Sequence, residues 1–261
     1  KEAGIGILSA NTEHSAAFEQ LQLWEKEGAR VGWVEVDRQG QVIFEALEKA
    51  LASGDFGLLN VIWANNETGV LQDFERICEV SRQAGVMVHT DAVQAAGKMS
   101  LRQHRADYLS ISGHKINGPK GVGALLVRGA CALTPMIVGG GQEQKRRGGT
   151  ENVAGIIGLA KACELAMDRL QEGELERVAK LRDRLQDGLL ERIPDAWVNG
   201  AESPRIANTL SLTLPSCQAE GLLILLEERG LIASAGSACS TGKLEPSRVL
   251  TAMGLSRLDA K

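Results

Sequence analysis

Along the first half of the chain, short apolar runs alternate with stretches whose apolar residues recur every three or four positions. "GIGILSA" (4–10) reads as a strand, and "HSAAFEQLQLWEKEG" (14–28) as an amphipathic helix ending on Gly28. "VGWVEV" then predicts a strand, "VIFEALEKALASG" a helix, and "GLLNVIWANNETG" a strand running into a polar turn. A helix near 72–84 follows, then the strand "GVMVHT" leading to Asp91 and the strand "ADYLSIS" leading to His114 and Lys115. Apolar strands separated by helices of this length predict an α/β fold, a mostly parallel sheet flanked by helices. "GVGALLV" is expected to run the other way, because its connection is too short for a helical crossover.

Residues 151–192 read as mainly helical. Leu175, Val178, Leu181, Leu185 and Leu189 fall on one helical face. So few heptads repeat that this face is expected to pack on its own domain and not in a coiled coil. After the turn "IPDAWVNGAESPR", a strand–helix–strand pattern ("IANTLSLTL", "EGLLILLEERG", "LIASAG") predicts part of a smaller α/β domain. The expected division is a large domain over 1–165, a helical extension to about 192, and the partial small domain over 193–261.

Charge and composition narrow the classes. A formal net charge of −4 argues against a nucleic-acid partner, which would call for a basic patch. No apolar run is long enough to span a bilayer, and the start lacks the basic and apolar regions of a signal peptide. A cytoplasmic protein without a membrane partner is therefore expected. The five cysteines form no C-x-x-C pair, which reads as free thiols in a reducing compartment, and poorly as a zinc site.

Ligands of open α/β sheets bind beyond the carboxyl ends of the strands. The side chains expected there are His14, Asn65 and Asn66, Asp91 and Gln94, and Ser112, His114 and Lys115. "GHKINGPKG" is not a phosphate-binding P-loop, since Pro119 stands where a lysine must follow the glycine. "GGGQEQ" has Gln144 in place of the last glycine of a dinucleotide fingerprint. His89-Thr-Asp91 matches the start of a two-His, one-carboxylate iron site, with His104 or His114 as third ligand, but three residues of this kind recur by chance. No G-x-S-x-G elbow offers a serine nucleophile.

Pyridoxal phosphate explains more of the set. A lysine forms a Schiff base with its aldehyde, and a carboxylate must face the ring nitrogen to keep the ring an electron sink. Lys115 and Asp91 suit those roles, and Ser112 and His114 offer donors for the phosphate. Singly, Asp91 would serve as a helix cap and His114 as a core histidine. Their convergence on neighbouring strand ends favours the cofactor.

The motifs "NTEHSA", "NNETGVLQD", "HTDAVQAAGK", "SISGHKINGPKGVGAL", "GGGQEQKRRGGTENVAGIIGLAKA" and "SAGSACSTGKLEPSRVLTAMGL" span nearly the whole chain. In that order they resemble the cysteine desulfurases, pyridoxal phosphate enzymes of the aspartate-aminotransferase fold type. The resemblance implies that Lys115 carries the cofactor and later moves protons at the substrate carbon. It implies that His14 stacks on the ring as an acid–base group, that Asp91 pairs with the ring nitrogen, and that Gln94 bonds the ring oxygen. Asn66 would contact substrate and cofactor, Ser112 and His114 would hold the phosphate, and Thr150 would reach the phosphate of a neighbouring subunit in a homodimer. Cys239 would attack the sulfur of L-cysteine, leaving L-alanine and a persulfide. No metal is implied. The form "GSAC" resembles the nitrogen-fixation and housekeeping branch, which passes sulfur to iron–sulfur scaffold proteins. A related selenocysteine or cysteine lyase, or an inactive form that only binds a partner, is the alternative. Family members also carry a Gly–Ala–Thr phosphate turn before this span and a carboxylate-binding arginine after it, so the resemblance implies truncation at both ends. Arg257 does not match that arginine's context.

Overall fold

Parallel pairing builds the molecule outward from its first strand. The computed structural model describes residues 5–102, 104–129, 131–215, 217–236 and 245–260. Strands β1 (Gly6–Ala10), β2 (Val31–Val34), β3 (Phe56–Asn60), β4 (Met87–Asp91), β5 (Tyr108–Ser112) and β6 (Gly123–Val127) form one six-stranded sheet in the order β2-β1-β3-β4-β5-β6. The first five are parallel and β6 is antiparallel to β5, as its short connection predicts. The crossovers are carried by α1 (Ser15–Lys26), α2 (Phe44–Ala52) and α3 (Phe74–Gln83). Asp73 caps α3 by accepting from Arg76 N at 3.2 Å. Gly28, at φ +90°, takes the left-handed turn that ends α1.

One face of the sheet packs the main core: Leu8 and Ala10 of β1, Leu59 of β3, Leu47 and Leu51 of α2, and Ile77 of α3. A second cluster joins Val88 of β4, Leu109 of β5 and Trp63, whose ring stacks on Phe74 with centroids 4.5 Å apart. After β6 come the short irregular α4 (Gln142–Lys145) and the long α5 (Val153–Gln171) and α6 (Glu174–Arg192). α5 seats Leu159 and Ala162 against Ile116, just after Lys115.

Three local expectations are corrected. Leu181 and Leu185 of α6 are 52% and 56% exposed, so the leucine face is not buried on this domain. α6 engages the rest of the chain partly through Arg182, whose guanidinium donates to Ile206 O. The strand expected over "IANTLSLTL" shrinks to β8 (Leu212–Thr213), paired antiparallel with β7 (Trp197–Val198) from the expected turn. Residues 231–235 of "LIASAG" form no strand, because no neighbouring strand among the described residues offers them a ladder. α7 (Ala219–Glu227) lies between these segments. The last helix, α8 (Arg248–Ala252), returns Val249 and Leu250 to the same core as Leu8 and Leu59.

Candidate active site

The carboxyl ends of β1, β3, β4 and β5 meet along one edge, and the loops leaving them carry the polar residues. After β1 the chain turns through Asn11, Thr12 and Glu13 to His14, which caps α1 by accepting from Ala16 N on Nδ1 at 3.2 Å. After β3 it bends at Asn65, whose side chain accepts from Glu67 N and Thr68 N and donates to Thr12 O. That double tie fixes the two loops against each other and presents Asn66 at the edge. Asp91 ends β4, and its Oδ1 accepts from Val93 N at 2.9 Å.

Glu13 is wholly buried between these strand ends. Its Oε1 accepts from Ile62 N at 2.6 Å, and Oε2 has no hydrogen-bond partner among the described residues. Burial chiefly pushes its carboxyl up to about 8, against the pull of the Ile62 bond and with a smaller push from nearby Asp91. Glu13 is therefore largely a neutral acid at pH 7. Asn11 Oδ1, Thr12 Oγ, Asn66 Oδ1 and Thr90 Oγ, from the same strand ends, are also buried without partners among the described residues. Unmet polar atoms are rare in folded interiors, so their concentration here marks a place built for further polar contacts.

Beneath that edge a polar row crosses the sheet. Asn60 donates to Ser9 Oγ at 2.9 Å, and its Oδ1 faces His89 Nδ1 at 2.6 Å. His89 Nε2 lies 2.8 Å from Ser110 Oγ. Since Asn60 Oδ1 can only accept, Nδ1 carries the proton and Nε2 accepts from the serine. Burial holds the His89 pKa below its ordinary value, which keeps the ring neutral. Both ring nitrogens are engaged, so His89 is not free for the iron site that its spacing allowed.

Past β4, residues 92–98 coil into tight turns, with Ala95 N and Ala96 N both bonded to Ala92 O. Gln94 and Lys98, four apart, share a side, and Lys98 Nζ donates to Gln94 Oε1 at 2.7 Å. Gly97, at φ +69°, allows close packing, since a Cβ there would sit 2.9 Å from Ile116. The turn bearing Gln94 is thereby held against Gly113–Ile116, the 3₁₀ turn bearing Lys115. Burial first, then the nearby charge of Lys115, pushes the Lys98 ammonium down to about 8. Lys115 itself is exposed, as is His114, whose Nδ1 lies 2.8 Å from Ser112 Oγ.

A cavity of about 390 Å³ opens over His14 and Asn66, bounded by Glu67, Gly236, Glu245 and Arg248. Arg248 lies 3.7 Å over the Phe18 ring and donates to the carbonyls of Asn11 and Glu13, tying α8 to the His14 loop. Gly236 and Glu245 are the described residues flanking Cys239, which itself lies outside the described residues. A larger cavity of about 560 Å³, lined by Met99, Leu109, Leu126 and Met167, holds none of the predicted site residues.

The structure thus places His14, Asn66, Asp91, Gln94, Ser112, His114 and Lys115 on loops or strand ends at one sheet edge. Thr150 is exposed in the loop before α5 and makes no side-chain hydrogen bond among the described residues. Glu13, Lys98 and Arg248 escaped the sequence reading, although each stands inside a quoted motif. For Glu13 and Lys98 the available signal was a charged residue directly beside a predicted site residue, or four positions from it; Arg248, nine positions past Cys239, offered no such signal.

Comparison with known proteins places these features in context. The aminotransferase class-V family matches residues 1–256. A cysteine desulfurase of Gluconacetobacter diazotrophicus is 47% identical over 250 residues, covering 95% of this chain and 62% of that protein. The cysteine desulfurase IscS of Methanosarcina thermophila is 42% identical over 257 residues, covering 98% of this chain and 63% of its own length. The chain therefore spans somewhat less than two thirds of these curated relatives. Among solved structures, the NifS-like protein of Rickettsia africae superposes with a TM-score of 0.87 at 32% identity, covering 99% of this chain and 68% of that one.

Proposed function

The chain belongs to the aminotransferase class-V family, and from that premise we propose that it is the greater part of a pyridoxal-phosphate-dependent cysteine desulfurase. It converts L-cysteine to L-alanine and retains the sulfur on Cys239 for transfer to an acceptor such as an iron–sulfur scaffold. The observation that carries this reading is the delivery of His14, Asn66, Asp91, Gln94 and Lys115 to one edge of one sheet, each at or just past the end of its strand.

The residues fit the cofactor. Among the described residues Asn66 Oδ1 is a buried acceptor without a partner, and Gln94 has Oε1 engaged by Lys98 and its amide nitrogen left to donate. Asp91 keeps one carboxylate oxygen outside its turn. When bound, pyridoxal phosphate supplies an electron sink conjugated to the substrate's α-carbon. Asp91 would hold the proton on the ring nitrogen, Gln94 would donate to the ring oxygen, and His14 would cover the ring. Ser112, His114 and Thr150 of the partner subunit would hold the phosphate. Lys115 would hold the cofactor through its amine and would then move a proton at the substrate's α-carbon. The Cys239 thiolate attacks the substrate sulfur. An S–S bond forms as the carbon–sulfur bond breaks, and its electron pair stays with the carbon, which takes a proton to become alanine.

The cofactor-binding domain is assigned to 1–165 with its helical extension to about 192, and the segment 193–261 to the small domain, with α8 folded back onto the larger. Exposed Met136, Val138, Val153 and Ile157, on either side of Thr150, support a homodimer through that surface. The net charge of −4 speaks against nucleic acid, and no helix among the described residues is long and apolar enough to cross a membrane. The free thiols of Cys78, Cys131, Cys163 and Cys217 support a cytoplasmic setting. The test is turnover of L-cysteine by the full-length protein, with alanine release measured alongside mass spectrometry of the Cys239 peptide. A gain of one sulfur on Cys239, and loss of turnover in Cys239→Ser, are expected. Turnover that survives Cys239→Ser would point instead to a lyase.

A further inference from the structure

We propose that Lys98 is a positioning residue for the cofactor: it locks the Gln94 amide so that its nitrogen, not its oxygen, faces the ring oxygen. This rests on the cofactor reading above. A glutamine amide has two ends of similar shape and opposite hydrogen-bonding sense, and a free side chain can present either. An ammonium only donates. Lys98 Nζ, 2.7 Å from Oε1, therefore fixes that end as the acceptor and turns the NH₂ end away from itself.

The backbone makes the arrangement rigid. Gln94 and Lys98 sit one turn apart in a segment fastened at Ala92 O, and Gly97 brings that segment into contact with Ile116 of the Lys115 turn. The charged group set against Lys98 from the neighbouring element is Lys115, and Gln94 is its hydrogen-bond partner on its own segment. Among the described residues Gln94 Oε1 is the acceptor that the structure gives Lys98 Nζ, and once Lys115 carries the cofactor its like charge no longer opposes the ammonium. A cation behind the amide carbonyl also polarises it and strengthens donation from the nitrogen.

The consequence is readable in the light absorption of the bound cofactor. A donor held at the ring oxygen stabilises its anionic form and weakens that oxygen's hold on the neighbouring protonated nitrogen. The pH midpoint of the visible band is then lower than it would be without Lys98.

The experiment titrates the visible band of the full-length holoprotein between acid and alkaline pH for wild type, K98M, K98R, Q94L and the K98M/Q94L double variant. Folding of each is checked by circular dichroism, and K98Q replaces K98M should the latter not fold. K98M should raise the midpoint by about one pH unit, a tenfold change in proton affinity. Q94L should do the same, the double variant should shift no further than either single, and K98R should stay near wild type. An unmoved midpoint in a folded K98M that still carries the band overturns the inference and leaves the proposed function standing. Additive shifts in the double variant overturn it too, since Lys98 would then act through its charge alone. Absence of any band in wild type overturns the cofactor reading, and this inference with it.

Discussion

A carboxylic acid sealed among the strand ends of the candidate site should make itself felt in how stability depends on pH. Glu13 is fully buried with one oxygen bonded to Ile62 N and the other unpartnered among the described residues, and burial raises its carboxyl from 4.5 to about 8. The folded chain then holds a proton on Glu13 that the unfolded chain has already released, across the window between those two values. A group with a raised folded pKa contributes its full stability below the unfolded value and loses it as pH rises through the folded one. Stability should fall by about 1.4 kcal/mol per pH unit inside that window, or about 3 kcal/mol between roughly pH 5.5 and 7.5. Glu13→Gln is the matching perturbation, because glutamine keeps the acceptor for Ile62 N and cannot ionise. Urea denaturation of both apoproteins at half-unit steps gives the difference, in which all other titrating groups cancel to first order. Wild type should lose about 3 kcal/mol relative to the variant over that interval. Parallel profiles would mean that Glu13 is ionised in the fold, and the account of a dry, neutral acid at the strand ends would be refuted.

Two further outcomes follow from the same region. His89→Ala leaves Asn60 Oδ1 buried without its donor and opens a cavity, for a loss of about 2–4 kcal/mol in denaturation. Since burial lowers the His89 pKa, its contribution is present above the unfolded value of 6.5 and is lost as pH falls below it, so the gap between wild type and variant should narrow in acid. Arg248→Met removes two charge-assisted bonds to the carbonyls of Asn11 and Glu13 and the stacking on Phe18, at a cost of about 2–4 kcal/mol. Amide exchange over 11–15 should quicken in that variant, and Arg248→Lys should recover less than half, because an ammonium cannot reproduce the planar fork.

How far the letters foretold this molecule depended on what each signal is made of. Strands β1 to β5 and the reversal at β6 were legible because alternation and connection length are local quantities that the final sheet preserves. Strand ends were legible for the same reason, and with them the positions of His14, Asn66, Asp91 and Lys115. The pattern failed where a partner decides the outcome. "LIASAG" is as strand-like as "GIGILSA", yet only the latter finds neighbours on both sides. The leucine face of α6 has sound periodicity and lies half exposed, because periodicity reports that a face is apolar and says nothing of what covers it.

Burial explains why the supporting residues were missed. In the sequence Glu13 is one acid before a histidine, and Lys98 one base at the end of a turn, each with an ordinary solvated reading. Folding places Glu13 where water cannot reach it and sets Lys98 between Gln94 and a second lysine, and only then do their proton affinities move. The residues expected to touch cofactor or substrate are chemically distinctive and announce themselves by type. Those that hold them in place are made distinctive by their surroundings. A buried charge within four residues of a predicted site residue is therefore the feature to seek when such a strand edge is first read.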